Sequence, residues 1–567
     1  AGASATRIGG LAGYAGGGTT IRNVLVTGAG NAALIYSGTN PYIGGIAGYL
    51  DGGGSRMENA YGSLNLKVST SADIFAGGMV GYLSAASLKD CLWAGNLECS
   101  SSTTSGLSRL GGIAGSFRSA ADLNPAPELR NAVARGNITA AGGAICAGGL
   151  AGEAYSSTGE TLQLVADSYY ENGYIRVDAN STIFSYAGGL FGRFPNDNTG
   201  PKITGCWSRA GGITASQAGT GSIALGGFCG VAYPTEIEGC YSESPLTLIE
   251  APLTSNIYVG GFIGYMEIKV EGRITSCYAK ADLNVIGRRH YTGGLFGYVV
   301  GDGNFELRNS YAAGNISSAA STASHTGGLI GSLGCATTII SGCWASGSVH
   351  ARGSPGKTNV LYAGGLVGRV RANNTDILNI TIENSYALGD VTADDPYSGG
   401  DVCAGGLVGY MKSSAGVYHS FAGGSVTAQT ASTSGVYAGG IVGYREAGAI
   451  EHCVARGETI TAKGTNADRT AARIFAYPAV AFSDSNGSSS GNYALSVMYL
   501  ETWNKYRYGT PTEVTLTSDS TGPHGENATA GTLRTADFWT STMGFDSAWS
   551  MSGVARGYPK LANVGGQ

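Results

Sequence analysis

Charged residues are scarce in this sequence. Asp, Glu, Lys and Arg make up 13% of its 567 residues, roughly half of the usual share. The formal net charge is -5, and no basic segment stands out, so the composition argues against a nucleic-acid partner. Glycine is abundant, with 95 residues, but only 14 prolines accompany it and no Gly-X-Y period is present. That combination excludes a collagen helix.

Further absences narrow the class of protein. No run of 18 apolar residues exists, so we expect no membrane-spanning helix. The motif His-Glu-X-X-His is missing and the six histidines are scattered, which argues against a zinc peptidase. The segments around Asp302 and Asp394 lack the spacing of a calcium-binding loop, and Gly487 to Gly491 matches a nucleophile elbow without its strand-turn-helix context. We therefore predict no enzyme activity, catalytic residue, metal or cofactor, with calcium bound by the Asp-rich segments as the alternative to ordinary polar loops.

What the sequence does contain is a repeat. Gly-Gly, an apolar residue, one further residue and Gly recur thirteen times, 33 to 41 residues apart. A fixed period in this range indicates one supersecondary unit stacked on copies of itself. The copies begin at Gly9, Gly44, Gly77, Gly111, Gly148, Gly188, Gly226, Gly260, Gly293, Gly327, Gly364, Gly405 and Gly439.

A second phrase follows each Gly-Gly phrase and is represented by Ile382 to Ala387. Its first residue is apolar in all thirteen copies and its second is charged in eight. This alternation predicts a strand with the first residue in the core and the second in water. The third residue is mostly Asn, Asp or Gly, which favours a left-handed bend. We interpret this phrase, the Gly-Gly phrase and a shorter third phrase as three short strands per repeat.

The fourth residue of the second phrase is small. It is cysteine in six copies and serine in others, as at Ser310, Ser385 and Ser420. Because serine cannot form a disulfide, we predict that the site requires a compact residue and that all eleven cysteines are free thiols. His419 and His452 occupy equivalent positions just before this residue. A solvent-facing turn is the simpler interpretation of that pair, and a metal site is the alternative.

Tyrosine recurs five residues after the first glycine of the pair. Other copies have Ser, Glu, Arg or Val there, so we predict a surface position that carries broken ladders of tyrosine. Such a ladder is the best candidate for contacting a ligand; alternatively, tyrosine simply favours strands. The candidate ligand-facing residues are Tyr14, Tyr49, Tyr82, Tyr265, Tyr298, Tyr410 and Tyr444.

Short strands that cannot bury their apolar residues alone predict a stacked array. We expect an all-β protein, a right-handed parallel β-helix (β-solenoid) of about 14 coils of ~35 residues. The repeat degrades after Gly440 and the composition changes near Leu495. We therefore predict a repeat array over 1–495 and a C-terminal capping region over 496–567.

The repeated phrases resemble the GLUG repeat of bacterial surface proteins. The resemblance is carried by Gly364 to Gly368, Gly405 to Tyr410 and Asn384 to Ala387, and it covers nearly the whole chain. The closing segment from Gly544 to Leu561 is similar to the one that often ends such arrays. Members include adhesin-like proteins and non-catalytic parts of immunoglobulin A-specific metallopeptidases. The resemblance implies no catalytic residue that would carry over.

The repeat and this resemblance together predict a non-enzymatic structural or adhesive segment of a bacterial cell-surface or secreted protein. Its partner would be a host or bacterial surface protein or glycan, met outside the cell or at the bacterial surface. One alternative is the non-catalytic arm of a larger secreted enzyme. The other is a β-helix enzyme that acts on polysaccharides, which requires a groove lined by several carboxylates. The chain begins at Ala1 without Met or signal peptide, as expected of a processed chain or excised segment.

Overall fold

The structure is a computed structural model. It describes residues 6–28, 32–39, 41–103, 106–119, 127–156, 165–194, 202–233, 236–250, 256–355, 360–371, 379–397, 399–412, 415–465, 468–477, 487–506 and 510–567. The chain divides into two compact units, which are described separately. The first unit comprises Ala1–Arg273 with Cys277–Asp282, and the second comprises Ile274–Ser276 with Leu283–Gln567.

Strands of the first unit lie in two parallel sheets. Sheet 1 contains Thr6–Gly9, Ala33–Gly38, Pro41–Gly44, Asn65–Thr70, Phe75–Gly77, Leu97–Ser101, Leu107–Gly111, Ile138–Gly142, Ala144–Gly148, Tyr174–Ala179, Ser185–Gly188, Gly212–Gln217, Ile223–Gly226, Leu246–Glu250 and Ile257–Gly260. Sheet 2 contains Ala12–Ala15, Thr20–Val26, Ala47–Asp51, Arg56–Gly62, Val80–Ser84, Ser87–Trp93, Ala114–Ser119, Leu129–Ala134, Ala151–Ser156, Val165–Ala166, Tyr169–Glu171, Phe191–Phe194, Lys202–Thr204, Trp207–Arg209, Cys229–Ala232, Glu236–Glu238, Tyr241–Ser242, Ile263–Glu267, Glu271–Thr275 and Tyr278–Ala279.

The second unit repeats this plan. Its sheet 1 contains Leu283–Gly293, Ile316–Gly327, Val349–Gly353, Val360–Gly364, Val391–Asp395, Val402–Gly405, Val426–Thr430, Val436–Gly439, Thr459–Lys463, Arg469–Ala472, Tyr499–Trp503 and the antiparallel Pro511–Glu513. Its sheet 2 contains Phe296–Arg308, Tyr311–Ala312, Ile330–Ser341, Trp344–Ala345, Val367–Val370, Asn379–Glu383, Tyr386–Ala387, Val408–Met411, Ala415–Tyr418, Phe421–Ala422, Val442–Arg445, Ala449–Glu451, Val454–Ala455, Ser489–Ser490, Tyr493–Leu495 and Glu526–Ala528.

The fold predicted from the repeat is confirmed as an all-β parallel β-solenoid. Each coil passes from sheet 1 to sheet 2 and back, and equivalent strands of successive coils pair in parallel and in register, as Gly364 does with Gly405 and Gly405 with Gly439. The solenoid has about 13 turns, close to the 14 expected. The right-handed winding stays a prediction.

The prediction of three strands per repeat is wrong in detail. In one coil the chain forms Val360–Gly364, Val367–Val370, Asn379–Glu383, Tyr386–Ala387 and Val391–Asp395, which makes five short strands. The Gly-Gly phrase is therefore not a strand. It is the corner at which the chain leaves sheet 1 and enters sheet 2.

Two features fix this corner. The carbonyl oxygen of Leu407 accepts hydrogen bonds from the backbone N–H groups of both Leu366 and Val367, at 2.8 and 2.9 Å, so two residues face one, as in a β-bulge. A Cβ on Gly365 would lie 2.0 Å from the carbonyl oxygen of Gly406. Successive coils thus approach too closely for any side chain at this point.

The apolar column predicted behind the corner is confirmed. Leu295, Leu329, Leu366 and Leu407 are all fully buried. The first residue of the second phrase is also buried in every copy, at Ile21, Met57, Leu88, Leu129, Val165, Ile203, Ile237, Ile274, Leu307, Ile340, Ile382, Val417 and Ile450. The main core of each unit therefore lies inside the coils, between the two sheets.

The predicted left-handed bend is also confirmed. The third residue of the second phrase has a φ between 43° and 65° in all thirteen copies. Three copies carry residues other than Asn, Asp or Gly there, namely Ser276, His419 and His452. Since the bend is imposed by the coil, these residues adopt a conformation that costs them about 1 kcal/mol or more.

All eleven cysteines are free and buried, as predicted. The column residues bond to backbone carbonyls: the Cys343 thiol lies 3.4 Å from the Ser341 oxygen, and the Ser385 hydroxyl donates to the Glu383 oxygen at 2.7 Å. Burial raises the pKa of the Cys343 thiol to about 12. The Cys343 thiol is therefore protonated at neutral pH and acts as a compact apolar group.

Strand pairing continues past residue 495, because Tyr499–Trp503 pairs with Thr459–Lys463 and Glu526–Ala528 pairs with Tyr493–Leu495. An irregular segment follows, which we call the C-terminal strap (residues 532–567). It contains 3-10 helices at Thr532–Arg534 and Met551–Arg556, a π-helix at Phe538–Thr542, and a small antiparallel pair, Trp549–Ser550 with Lys560–Leu561. Within the described residues, no helix is long and apolar enough to cross a membrane.

Candidate functional site

The tyrosines singled out by the sequence lie along a surface that we call the seam. It is formed by outward side chains on the two sides of each Gly-Gly corner: position −2, two residues before the first glycine, and position +5, five residues after it. In one coil these are Tyr291 and Tyr298, whose rings stack at 4.7 Å. If the corner were convex, outward side chains on its two sides would point away from each other. Because the rings at positions −2 and +5 are in contact, the corner is concave toward the solvent (re-entrant).

The first unit begins the seam with a tyrosine stack. Tyr14, Tyr49 and Tyr82 follow one another at ring distances of 5.6 and 5.0 Å. Tyr42, at position −2, places the edge of its ring against Tyr49 at 5.6 Å. The guanidinium of Arg7 lies 4.9 Å from the Tyr14 ring and 5.0 Å from the Tyr49 ring, an arrangement that is favourable through cation–π attraction.

Exposure falls along this stack. Tyr14 is 51% exposed, Tyr49 is half-buried and Tyr82 is 8% exposed. The Tyr82 hydroxyl lies 2.6 Å from the hydroxyl of Tyr155, while the Tyr14 hydroxyl donates to Asp51 at 3.3 Å. The accessible part of the seam is therefore the end with Arg7 and Tyr14.

An ion cluster interrupts the tyrosines where the sequence showed Ser, Glu and Arg. Glu153 is buried and accepts from Arg109 and from Arg193, whose Nε lies 2.7 Å from its Oε1. Arg109 also lies over the Phe75 ring and Arg193 over the Tyr186 ring, at 4.7 and 5.2 Å. The two guanidinium groups offset the cost of removing the Glu153 carboxylate from water. The part of the seam without tyrosines is therefore closely packed and not open to solvent.

Aromatic pairs resume in the last coils of the first unit. Phe184 stacks on Tyr186 at 4.8 Å, and Tyr258 meets Tyr265 edge to face at 5.0 Å. The second unit has a longer run: Tyr362 stacks on Tyr410 at 4.7 Å and Tyr410 on Tyr444 at 5.3 Å, with Tyr437 edge-on to Tyr444 at 4.7 Å. Each unit thus carries its own aromatic seam.

Burial keeps the seam hydroxyls protonated. It raises the pKa of Tyr42 and Tyr49 above the usual value, and it raises that of Tyr444 to about 12. Tyr410 donates to the Glu446 carboxylate, which adds to the rise in its pKa. These four hydroxyls are therefore neutral at physiological pH.

All seven predicted tyrosines lie in the seam, and five of them form two stacks. Tyr14, Tyr49 and Tyr82 form one stack and Tyr410 with Tyr444 another. Tyr14 is exposed and Tyr82 is buried, while the other five are half-buried in the re-entrant corner. The sequence analysis missed the −2 partners, Tyr42, Phe75, Tyr186, Tyr258, Tyr291, Tyr362 and Tyr437, although they stand seven residues before position +5.

Other candidate sites carry less chemistry. His419 and His452 stack at 5.2 Å as their spacing predicted, but among the described residues no group of three or more His, Cys, Asp or Glu side chains is placed to hold a metal. A pocket of about 240 Å³ in the first unit is lined by Arg56, Glu58, Lys89 and other residues. Arg56 and Glu58 form an ion pair there at 3.1 Å, so part of the charge that lines the pocket is already neutralised.

Comparison with known proteins does not assign this chain to a family. No protein-family model matches the chain, and neither does any curated protein or solved structure. The seam and the sequence resemblance are therefore the features that bear on function.

Proposed function

We propose that this protein is a non-enzymatic structural or adhesive segment of a bacterial cell-surface or secreted protein, and that the seam of the first unit is its contact surface. The observation that carries the proposal is the Arg7–Tyr14–Tyr49 group, which combines exposed aromatic surface, hydroxyl groups and an exposed cation. Aromatic and Arg side chains of this kind are enriched where proteins meet ligands.

The solenoid supports this role. Its coils hold the stacked rings at the spacing of parallel strands, so the surface is rigid before any ligand arrives and loses little conformational freedom on binding. Hydroxyl donors beside a guanidinium favour a partner that carries carboxylate and hydroxyl groups, as an acidic surface glycan or an acidic protein surface does. The resemblance to GLUG repeats supports a location outside the cell.

The proposal is tested by screening the purified chain on an array of acidic and neutral glycans and on immobilised surface proteins. The double variant Arg7→Ser, Tyr14→Ala should weaken binding at least tenfold. Tyr174→Ala is the matched control, because Tyr174 is 47% exposed on a sheet 1 strand away from the seam, and its affinity should stay within twofold. Cleavage of a glycan or protein by the wild-type chain, or binding unaffected by the double variant, would refute the proposal.

A further inference from the structure

A second aromatic column runs along sheet 2, at the fifth residue of the second phrase. In the second unit it comprises Tyr311, Trp344, Tyr386 and Phe421, with ring distances of 4.5, 6.0 and 4.8 Å and interplanar angles of 3° to 6°. The first unit has the same column as Tyr169, Trp207, Tyr241 and Tyr278, at 4.1, 5.8 and 4.6 Å and 3° to 7°. We call these the second ladder and the first ladder.

The C-terminal strap covers the second ladder. Tyr386 lies 6.1 Å from the Trp549 ring and 6.4 Å from the Tyr558 ring. Phe421 meets Trp539 at 5.6 Å and Trp549 at 5.7 Å. The ladder rings are at most 7% exposed as a result.

Polar contacts lock the strap in place. Trp549 donates its ring N–H to Asn384 at 2.9 Å, and the Tyr386 hydroxyl donates to Gln567 at 3.0 Å. Gly566 lies so close to Tyr311 that a Cβ on it would stand 2.7 Å from the ring. The strap therefore follows the ladder from Phe421 to Tyr311.

The first ladder has equal regularity, and among the described residues it is bordered by cations: the Arg209 guanidinium lies 4.9 Å from the Trp207 ring and 5.2 Å from the Tyr241 ring. Its four rings are half-buried. The column continues toward the N-terminus as Tyr61, Leu92 and Val133, each in register with the next. The first unit thus has a column of aromatic and aliphatic side chains that is half-buried except at Val133, which is 8% exposed. Partly exposed apolar surface of this extent marks an interaction site.

Ring geometry decides what such a strip accepts. Each ring face is covered by the next ring in the column, so only ring edges point outward. A sugar binds aromatic residues through their faces, whereas another aromatic side chain packs well against edges. The strap follows this rule, because its rings are inclined 39° to 60° to the ladder rings they contact.

The margins of the two ladders differ in charge. Two residues after each ring, the second unit has Ala313, Ser346, Leu388 and Gly423, whereas the first has Glu171, Arg209, Glu243 and Lys280. The charges pair along the column, with Arg209–Glu243 at 2.8 Å and Lys280–Glu243 at 3.1 Å. A polar margin around an apolar strip is the arrangement of a reversible interface.

We propose that the first ladder is a docking site for an extended polypeptide segment that presents Trp, Tyr or Phe side chains, of the kind that this chain already lays on its second ladder. The site is distinct from the seam and lies on another face of the coil, so it goes beyond the proposed function. The occupant is recognised by insertion of aromatic rings against the ring edges of Trp207 and Tyr241, while its polar groups meet the charged margin.

The test uses a synthetic, fluorescently labelled peptide of residues 532–567 with the full-length chain. Fluorescence anisotropy should show saturable binding, weakened at least tenfold by Trp207→Ala with Tyr241→Ala and changed less than twofold by Tyr174→Ala. The same peptide with Trp539 and Trp549 replaced by Ala should not bind. Absence of binding by the unmodified peptide, or binding insensitive to the ladder variant, would overturn the proposal.

A second measurement on the wild-type chain removes any dependence on the variants' folding. A photo-crosslinking group on the peptide should attach to tryptic fragments that contain Trp207, Tyr241 or Tyr278. Crosslinks confined to Tyr311–Phe421 would show that the peptide only displaces the strap, and would contradict the proposal. Concentration-dependent association of the full chain, blocked by the peptide, would identify a second copy as the source of the segment.

Discussion

The two units build the same ladder on sheet 2 and surround it differently. In the second unit Trp344 is 2% exposed beneath the strap, while its register equivalent in the first unit, Trp207, is half-buried beside Arg209 and Glu243. The stacking itself is the same in both. The difference shows that the coil determines where aromatic rings stand, whereas segments outside the repeat determine whether those rings contribute to a core or to a surface.

If this comparison holds, the cores beneath the two ladders are equivalent. Ile237→Asp in the first unit and Ile340→Asp in the second place an unpaired carboxylate in the same buried column. Each should lower the free energy of unfolding by about 3 kcal/mol or more. The measurement is local unfolding by hydrogen exchange and mass spectrometry, which reports each unit separately.

Ile339→Asp is the control for this pair, because Ile339 is adjacent to Ile340 but half-exposed between Glu306 and Thr381. It should cost less than about 1 kcal/mol. Unequal losses for Ile237→Asp and Ile340→Asp would mean that the strap stabilises the interior as well as the ladder.

The ladders themselves should respond unequally. Trp344→Ala empties a site beneath the strap and should cost about 3 kcal/mol or more, as buried tryptophans do. Trp207→Ala removes a ring that is half in water, so we expect a loss of about 1 kcal/mol. Denaturant unfolding of both variants checks this. Equal losses would mean that the first ladder is as desolvated as the second.

The repeat predicts the features that recur within each coil, but not the contacts that form only when coils are stacked. The thirteen apolar first residues, the bends at Asn and Gly, and the thiols of the cysteine column follow from positions that recur in each repeat, so the sequence displays each of them in several copies. The corner differs from the predicted strand because a glycine pair between apolar residues does not reveal that the chain turns there. Its close packing, as between Gly365 and Gly406, exists only once coils are stacked.

The strap could not be predicted by the same means. Tyr386 and Gln567 are 181 residues apart, and residues 532–567 share no period with the coils they cover. The sequence indicated a cap from composition, whereas the structure places Trp549 along the flank of the array. Contacts that occur once leave no repeated signal.

Histidine separates the two units chemically, because all six histidines of the sequence lie in the second unit. His290 is fully buried, with Thr292 and Ser324 hydroxyls 3.4 Å from its Nδ1. Burial lowers its pKa to about 4, and it does the same for His524. Both rings are therefore neutral in the folded protein at pH 7.

The unfolded chain binds these protons more tightly than the folded chain does, so stability falls as the pH drops from about 6.5 toward 4. For His290 the full difference corresponds to about 3 kcal/mol. Hydrogen exchange at pH 7 and pH 5 should show the second unit opening first, and His290→Asn should reduce that pH dependence. Earlier acid opening of the first unit would contradict the assignment.

The smallest effect is expected from the charged margin of the first ladder. Arg209 and Glu243 pair at 2.8 Å, but their side chains are 48% and 27% exposed, and pairs of this kind contribute about 0.2 to 1 kcal/mol. A double-mutant cycle with Arg209→Ser and Glu243→Gln, with Lys280 retained, should give a coupling energy in that range. Because the pair is in water, the coupling energy should shrink as the salt concentration rises from 0.05 to 0.5 M. Over that range the Debye length falls from about 14 to about 4 Å. A coupling above about 2 kcal/mol that salt does not change would show that this margin is buried, and that the first ladder already has a cover.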